Sequence, residues 1–163
     1  MALVSSAPPT NSKGMLSENG SKTKEEYRAY YETGYRTDVS QITIDAENNT
    51  ICFAKDGVAA KAAYTYKGYQ IYDYASGSRG VRYFFEATDG DADAPKYVQF
   101  SDHGIHPGKA EHFHIYFGND GFDALSQEMD NWPTYYPMDM SGNDIKEDML
   151  EHEEKEYDEH VWL

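Results

Sequence analysis

The chain has 163 residues, 29 of them acidic and 14 basic, for a formal net charge of -15, with 15% aromatic residues and a single cysteine. That length suits one domain with its own core, and fifteen Tyr with seven Phe set it apart from a disordered acidic chain. The charge excludes a basic phosphate-reading surface, so no nucleic-acid partner is expected and a cationic ligand suits the chain better.

Residues 1–20, MALVSSAPPTNSKGMLSENG, read as a flexible leader, a linker cut from a longer polypeptide or a remnant of cloning. They lack the basic and apolar regions of a signal peptide. No run of about 18 apolar residues occurs anywhere, so no transmembrane segment is expected. Order begins near Ser21. Thr23 and Glu26 form a capping box, and Tyr27, Tyr30, Tyr31 and Tyr35 fall at near-helical spacing, which predicts one helix ending near Gly34 with its tyrosine face packed on a sheet.

From Val39 the pattern turns to short β-rich runs. Val39–Asp45 alternates, Asn48-Asn49 turns, and Thr50–Ala54 returns. Asp56-Gly57 then leads into Val58–Tyr66, as in a hairpin. Cys52, between Ile51 and Phe53, reads as a buried small hydrophobe, and as the sole cysteine it excludes an intrachain disulfide. Tyr69–Tyr74 and Val81–Ala87 form the next pair. Asp89, Asp91 and Asp93 alternate like a calcium loop but lack its glycine and glutamate, so they read as a solvated loop. About seven short strands joined by turns predict a mainly β protein, a sandwich or a closed antiparallel barrel.

The stretch Lys96–Gly118 holds four of the six histidines. In extended chain, side chains alternate faces, so His112 and His114 point one way and Phe113 and Ile115 the other. Tyr97, Gln99, Ser101 and His103 likewise share one face, opposite Val98 and Phe100. With Pro107-Gly108 turning the loop, the two strands pair antiparallel and bring His103 near His112 and His114. Three neutral imidazoles suit zinc, bound at about 2.0–2.1 Å. The same pair also reads as two solvated polar residues on a sheet surface, and His106 as a fourth ligand, a weak capture site or a plain loop residue.

Beyond Gly118, Phe122, Leu125, Met129 and Trp132 recur at helical spacing, and Pro133 and Pro137 fix an extended segment after them. Ser141 or Asn143 caps a last helix with Ile145, Met149 and Leu150, which runs into an acidic tail, residues 151–163. His152 and His160 sit among those acids as weak accessory ligands or as solvated side chains.

Thr33–Val39 (TGYRTDV), Gly80–Ala87 (GVRYFFEA), Ala94–His103 (APKYVQFSDH), Ala110–Gly118 (AEHFHIYFG) and Asn131–Pro137 (NWPTYYP) closely resemble the ZinT family of zinc-binding proteins, in collinear order from Lys22 to Leu150. The resemblance implies a calycin- or lipocalin-like antiparallel β-barrel with flanking helices across residues 21–150. It implies Zn(II), and sometimes other divalent transition metals, held in the barrel mouth by His103, His112 and His114. It also implies a place outside the cytoplasm, periplasmic or at the cell surface, and a partner in the solute-binding component or domain of a zinc ABC transporter. The chain departs from the family in lacking the Trp-containing segment that opens the barrel. The first strand is therefore expected to be missing, leaving the barrel incomplete or closed by another chain.

Two other functional classes stay open. Three histidines with an open fourth position also describe a catalytic zinc, as in α-carbonic anhydrases. Asp102 and Glu111, however, fall on the opposite face from the histidines, which favours metal capture over a hydrolase or lyase. A surface interaction domain using the tyrosine-rich sheet would need no histidine.

Overall fold

Eight antiparallel strands run in sequence order around a closed barrel. The computed structural model describes residues 1–5, 23–73, 77, 79–102, 112–128 and 130–152. The strands are β1 (Ala2–Ser5), β2 (Gln41–Asp45), β3 (Thr50–Lys55), β4 (Val58–Asp73), β5 (Arg79–Gly90), β6 (Tyr97–Asp102), β7 (Phe113–Gly118) and β8 (Thr134–Pro137). Three helices, α1 (Lys24–Gly34), α2 (Phe122–Ser126) and α3 (Gly142–His152), complete the described elements.

Closure corrects one expectation. Ala2–Ser5, placed by the sequence in a flexible leader, form β1, which fills the gap between β2 and β8 through Leu3↔Ile42 and Leu3↔Pro137. Leu3 is fully buried. The strand taken to be missing is thus supplied by the chain itself, without the Trp-containing segment. Two open sheet edges present unpaired backbone donors and acceptors, and even a four-residue apolar strand satisfies them. The remaining leader, residues 6–20, and the tail beyond residue 152 lie outside the described residues.

The lumen is packed by Leu3, Ile42, Ile51, Phe53, Tyr64, Val98, Ile115 and Tyr135, among others. Cys52, expected inside, faces away from this core and is half-exposed, because strand alternation gives the interior to Ile51 and Phe53. The two runs predicted on either side of Gly68 are one strand, β4, bent by a register shift at Tyr66/Gly68. Gly68 absorbs the bend at φ 112°, a conformation that costs glycine little. Asp91, in the loop expected to be solvated, accepts a hydrogen bond from the Lys61 amide at 2.8 Å.

Helix α1 forms as its cap predicts: the Glu26 amide donates to Thr23 Oγ1 and the Thr23 amide donates to the Glu26 carboxylate. Its tyrosine face builds a second apolar cluster, Tyr31 and Tyr35 with Tyr116 and Trp132, on the outside of the barrel wall. Tyr35 and Trp132 meet edge to face at 4.8 Å. Trp132 was expected on a long second helix, but α2 stops at Ser126. The chain beyond it is drawn to α1 instead. The Trp132 amide donates to Gly34 O at 2.8 Å, and the Asn131 side-chain amide serves the carbonyls of Thr33, Gly34 and Arg36, covering acceptors that a helix end leaves open.

Two substitutions test this packing. Leu3→Ala should lower unfolding stability by about 2–5 kcal/mol in urea titrations, as for a core leucine; a leader outside the barrel would show almost no change. Gly34→Ala should cost about 1–3 kcal/mol through overpacking, because a Cβ there would lie 2.2 Å from the Trp132 ring.

Candidate metal centre

Alternation along β7 sorts its side chains cleanly. Phe113, Ile115 and Phe117 pack with the lumen cluster, while Tyr116 belongs to the outer cluster under α1. His112 and His114 share Tyr116's parity and point away from the lumen. The two described histidines thus lie on the outer side of the wall rather than within the packed lumen. The pair sits on the outer face of the wall, at the end where β7 begins, because the lumen at that level is filled by Phe113 and Ile115. Ser101 of β6 pairs directly with His114, as the hairpin reading requires.

This outer face is itself buried. Gln99, fully buried, donates through Nε2 to Phe122 O and Ser126 Oγ of α2, both at 3.0 Å. Arg82 donates to Gln99 Oε1 at 3.2 Å and to Leu125 O at 2.9 Å, with its guanidinium 3.9 Å over the Tyr116 ring. The polar side of β5–β7 is thus hydrogen-bonded into a covering layer, as buried polar groups must be.

The two imidazoles lie 5.1 Å apart, centroid to centroid. His114 Nδ1 is 3.0 Å from Thr134 Oγ1 on β8, and that hydroxyl donates to Trp132 O at 3.1 Å. A threonine hydroxyl carries one proton. Given to the carbonyl, it leaves Oγ1 to accept from His114 Nδ1–H, which puts the ring's lone pair on Nε2. His112 Nδ1 lies 2.9 Å from Asp148 Oδ2 of α3. An ionised carboxylate only accepts, so this ring too carries a proton on Nδ1, which in the neutral ring places the lone pair on Nε2. Both rings are therefore held in the tautomer that presents Nε2 to a metal, with the backing hydrogen bond that metal-ligating histidines characteristically make. Trp132 stands edge to face against His114 at 5.8 Å, and Tyr136 lies 5.7 Å from His112.

Both side chains of the His112–Asp148 pair are nearly sealed, at 6% and 2% exposed. Across the wall, burial pushes the Tyr135 phenol well above its ordinary value, so it stays a neutral donor to Val39 O at 3.2 Å.

His103 and His106, like Glu111 and His160, lie outside the described residues, and His152 ends α3 with its side chain not described. Among the described residues no three His, Cys, Asp or Glu side chains group as a metal shell; His112 and His114 are the two expected ligands that it brings together. Two contributors escaped the sequence reading. Thr134 had a usable signal, since Pro133-Thr134-Tyr135-Tyr136 alternates and pairs Thr134 with His114. Asp148 had a fainter one: it is an acid set three residues after Ile145 and directly before Met149, on the apolar side of its helix.

Known proteins resemble this chain in sequence and in fold. Residues 11–152 match the family described as ZinT (YodA) periplasmic lipocalin-like zinc-recruitment. The chain is 54% identical over 133 residues to the zinc-binding lipoprotein AdcA of Streptococcus pneumoniae, covering 82% of this chain and 26% of that protein. It is 49% identical over 133 residues to the probable metal-binding protein YrpE of Bacillus subtilis, of which it spans 52%. The chain thus corresponds to only part of these curated relatives. Among solved structures, Zn(II)-bound AdcA from Streptococcus pneumoniae superposes with a TM-score of 0.73 at 53% identity, over 82% of this chain and 28% of that one. The Zn(II)-bound ZinT-like domain of the same protein gives 0.71 at 54% identity, over 81% and 72%.

Thr134→Val removes the acceptor for His114 Nδ1–H while keeping the shape. Long-range proton–nitrogen NMR of the metal-free protein should then show His114 losing its single Nδ1–H tautomer, with His112 unchanged.

Proposed function

The chain belongs to the ZinT family, and we propose that it captures Zn(II) outside the cytoplasm and passes it to the solute-binding component of a zinc importer. Zinc is cargo in this reading. The observation that carries it is the pair of buried imidazoles 5.1 Å apart, each backed at Nδ1 so that Nε2 carries the lone pair. His103 is the third ligand in this reading, because it follows by two positions in the sequence Ser101, the residue that pairs with His114. His106, His152 and His160 are accessory at most. Nitrogen donors of this kind suit zinc and also neighbouring divalent transition metals.

Support for the cargo and the route comes from the relatives. AdcA is named a zinc-binding lipoprotein, the family description specifies zinc recruitment in the periplasm, and the two superposed structures are zinc-bound. A lipoprotein or periplasmic setting puts the site where incoming zinc is first met. The acidic surface, with its charge of -15, favours approach of a cation. A capture protein needs no general base beside the metal, and the carboxylate here, Asp148, is engaged behind His112 rather than beside an incoming water.

Titrating zinc into metal-free protein at pH 7 should give near-stoichiometric binding that a His103→Ala/His112→Ala/His114→Ala triple variant loses. Tight binding surviving in that variant would overturn the site. Repeating the titration at pH 5 should weaken binding, because protons compete with the metal for imidazole lone pairs. Zinc-dependent CO₂ hydration or ester hydrolysis, lost in the same variant, would replace capture with catalysis.

A further inference from the structure

We infer that Asp148 is a positioning residue for the metal, through which docking of the C-terminal helix α3 and capture of the ion become one coupled equilibrium; this rests on the zinc-capture reading above. Helix α3 carries its other described acids outward: Asp144 and Glu147 are exposed. Asp144 is occupied at the helix start, where it accepts from the Ser141 hydroxyl at 2.7 Å. Asp148 alone among these is turned inward, with its side chain 2% exposed and Oδ2 2.9 Å from His112 Nδ1. Taking a carboxylate out of water is costly unless a partner compensates it. A helix needing only an apolar face would carry an apolar residue at that position.

The two imidazoles are held by different parts of the molecule. His114 is backed by Thr134 on β8, part of the barrel wall and rigid with it. His112 is backed from α3, an element outside the barrel. The barrel therefore fixes one ligand on its own, whereas the second takes its orientation, tautomer and added basicity from a helix outside it. A carboxylate behind a metal-bound imidazole strengthens the ligand, and its loss commonly weakens metal binding 10- to 100-fold. Linkage makes the effect reciprocal: if docked α3 raises affinity for the ion, the bound ion holds α3 down by the same factor. A partner that engages α3 would then loosen the metal as it binds, which is what handover of cargo requires.

The experiment compares wild type with Asp148→Asn and Asp148→Ala, each confirmed folded by circular dichroism. Zinc affinity is read by chelator competition, the His112 tautomer by proton–nitrogen NMR of metal-free protein, and α3 protection by amide hydrogen exchange with and without zinc. The expected result has three parts. Affinity falls about 10- to 100-fold in Asp148→Ala, with a smaller loss in the near-isosteric Asp148→Asn. His112 loses its single Nδ1–H tautomer in the alanine variant. Zinc slows α3 exchange in wild type but not in that variant. A wild-type protein that binds zinc while Asp148→Ala binds within twofold overturns this inference and leaves capture standing. A wild type that binds no zinc overturns both. A loss of affinity with the His112 tautomer and α3 exchange unchanged assigns Asp148 a general electrostatic effect and also overturns the positioning role.

Discussion

The period-two alternation of β7 is the constraint on which the rest depends. Six residues send three apolar side chains into the barrel and leave the opposite side for histidine and tyrosine. That division fixes where a ligand can sit. The lumen of so small a barrel is filled by side chains, so polar chemistry is displaced to the outer wall. There it would be solvated and imprecise if nothing covered it. The covering layer of α1, α2, α3 and the approach to β8 turns an exposed sheet face into an interior.

That layer is assembled largely by one short segment. Asn131 closes the carbonyl end of α1, Trp132 fills the space between α1 and the wall, and Thr134 holds His114. Three residues within a span of four thus join helix, wall and site. Gly34 lets the Trp132 ring come this close, and the ring in turn borders the His114 imidazole. Packing around the site and packing of the fold share the same residues. Stability and the placement of the His114 ring will therefore respond together to substitutions in this segment.

Much of this was legible in the chain. The strand meander, the α1 capping box and the two faces of the histidine hairpin follow from local periodicity, which is set by backbone geometry and survives any tertiary context. What escaped notice depends on partners far away in sequence. β1 is four residues long, too short for a period to register, and is recognised only by the two edges it pairs. Alternation separates a polar face from an apolar one but does not say which is inside, and here both are buried: Val98 and Gln99, adjacent on β6, are each fully inaccessible. Asp148 lies in a run of acids that local charge assigns to solvent, and only the docking of α3 against His112 reverses that. Helix α2 is shorter than its pattern because Trp132 gains more from α1 than from extending its own helix.

Closure by β1 also bears on the order in which the molecule can be made. Val4 pairs with Tyr136, so nearly the whole chain must be in place before the last seam is zipped. The hairpins from β2 to β7 form between neighbours in sequence, but this seam must overcome the closure entropy of the longest loop in the domain, and contacts of such separation form slowly. The strand at that seam, β8, is the one that brings Thr134 to His114. Paired with β1 on one edge and with β7 on the other, β8 joins barrel closure and the histidine pair in a single four-residue strand.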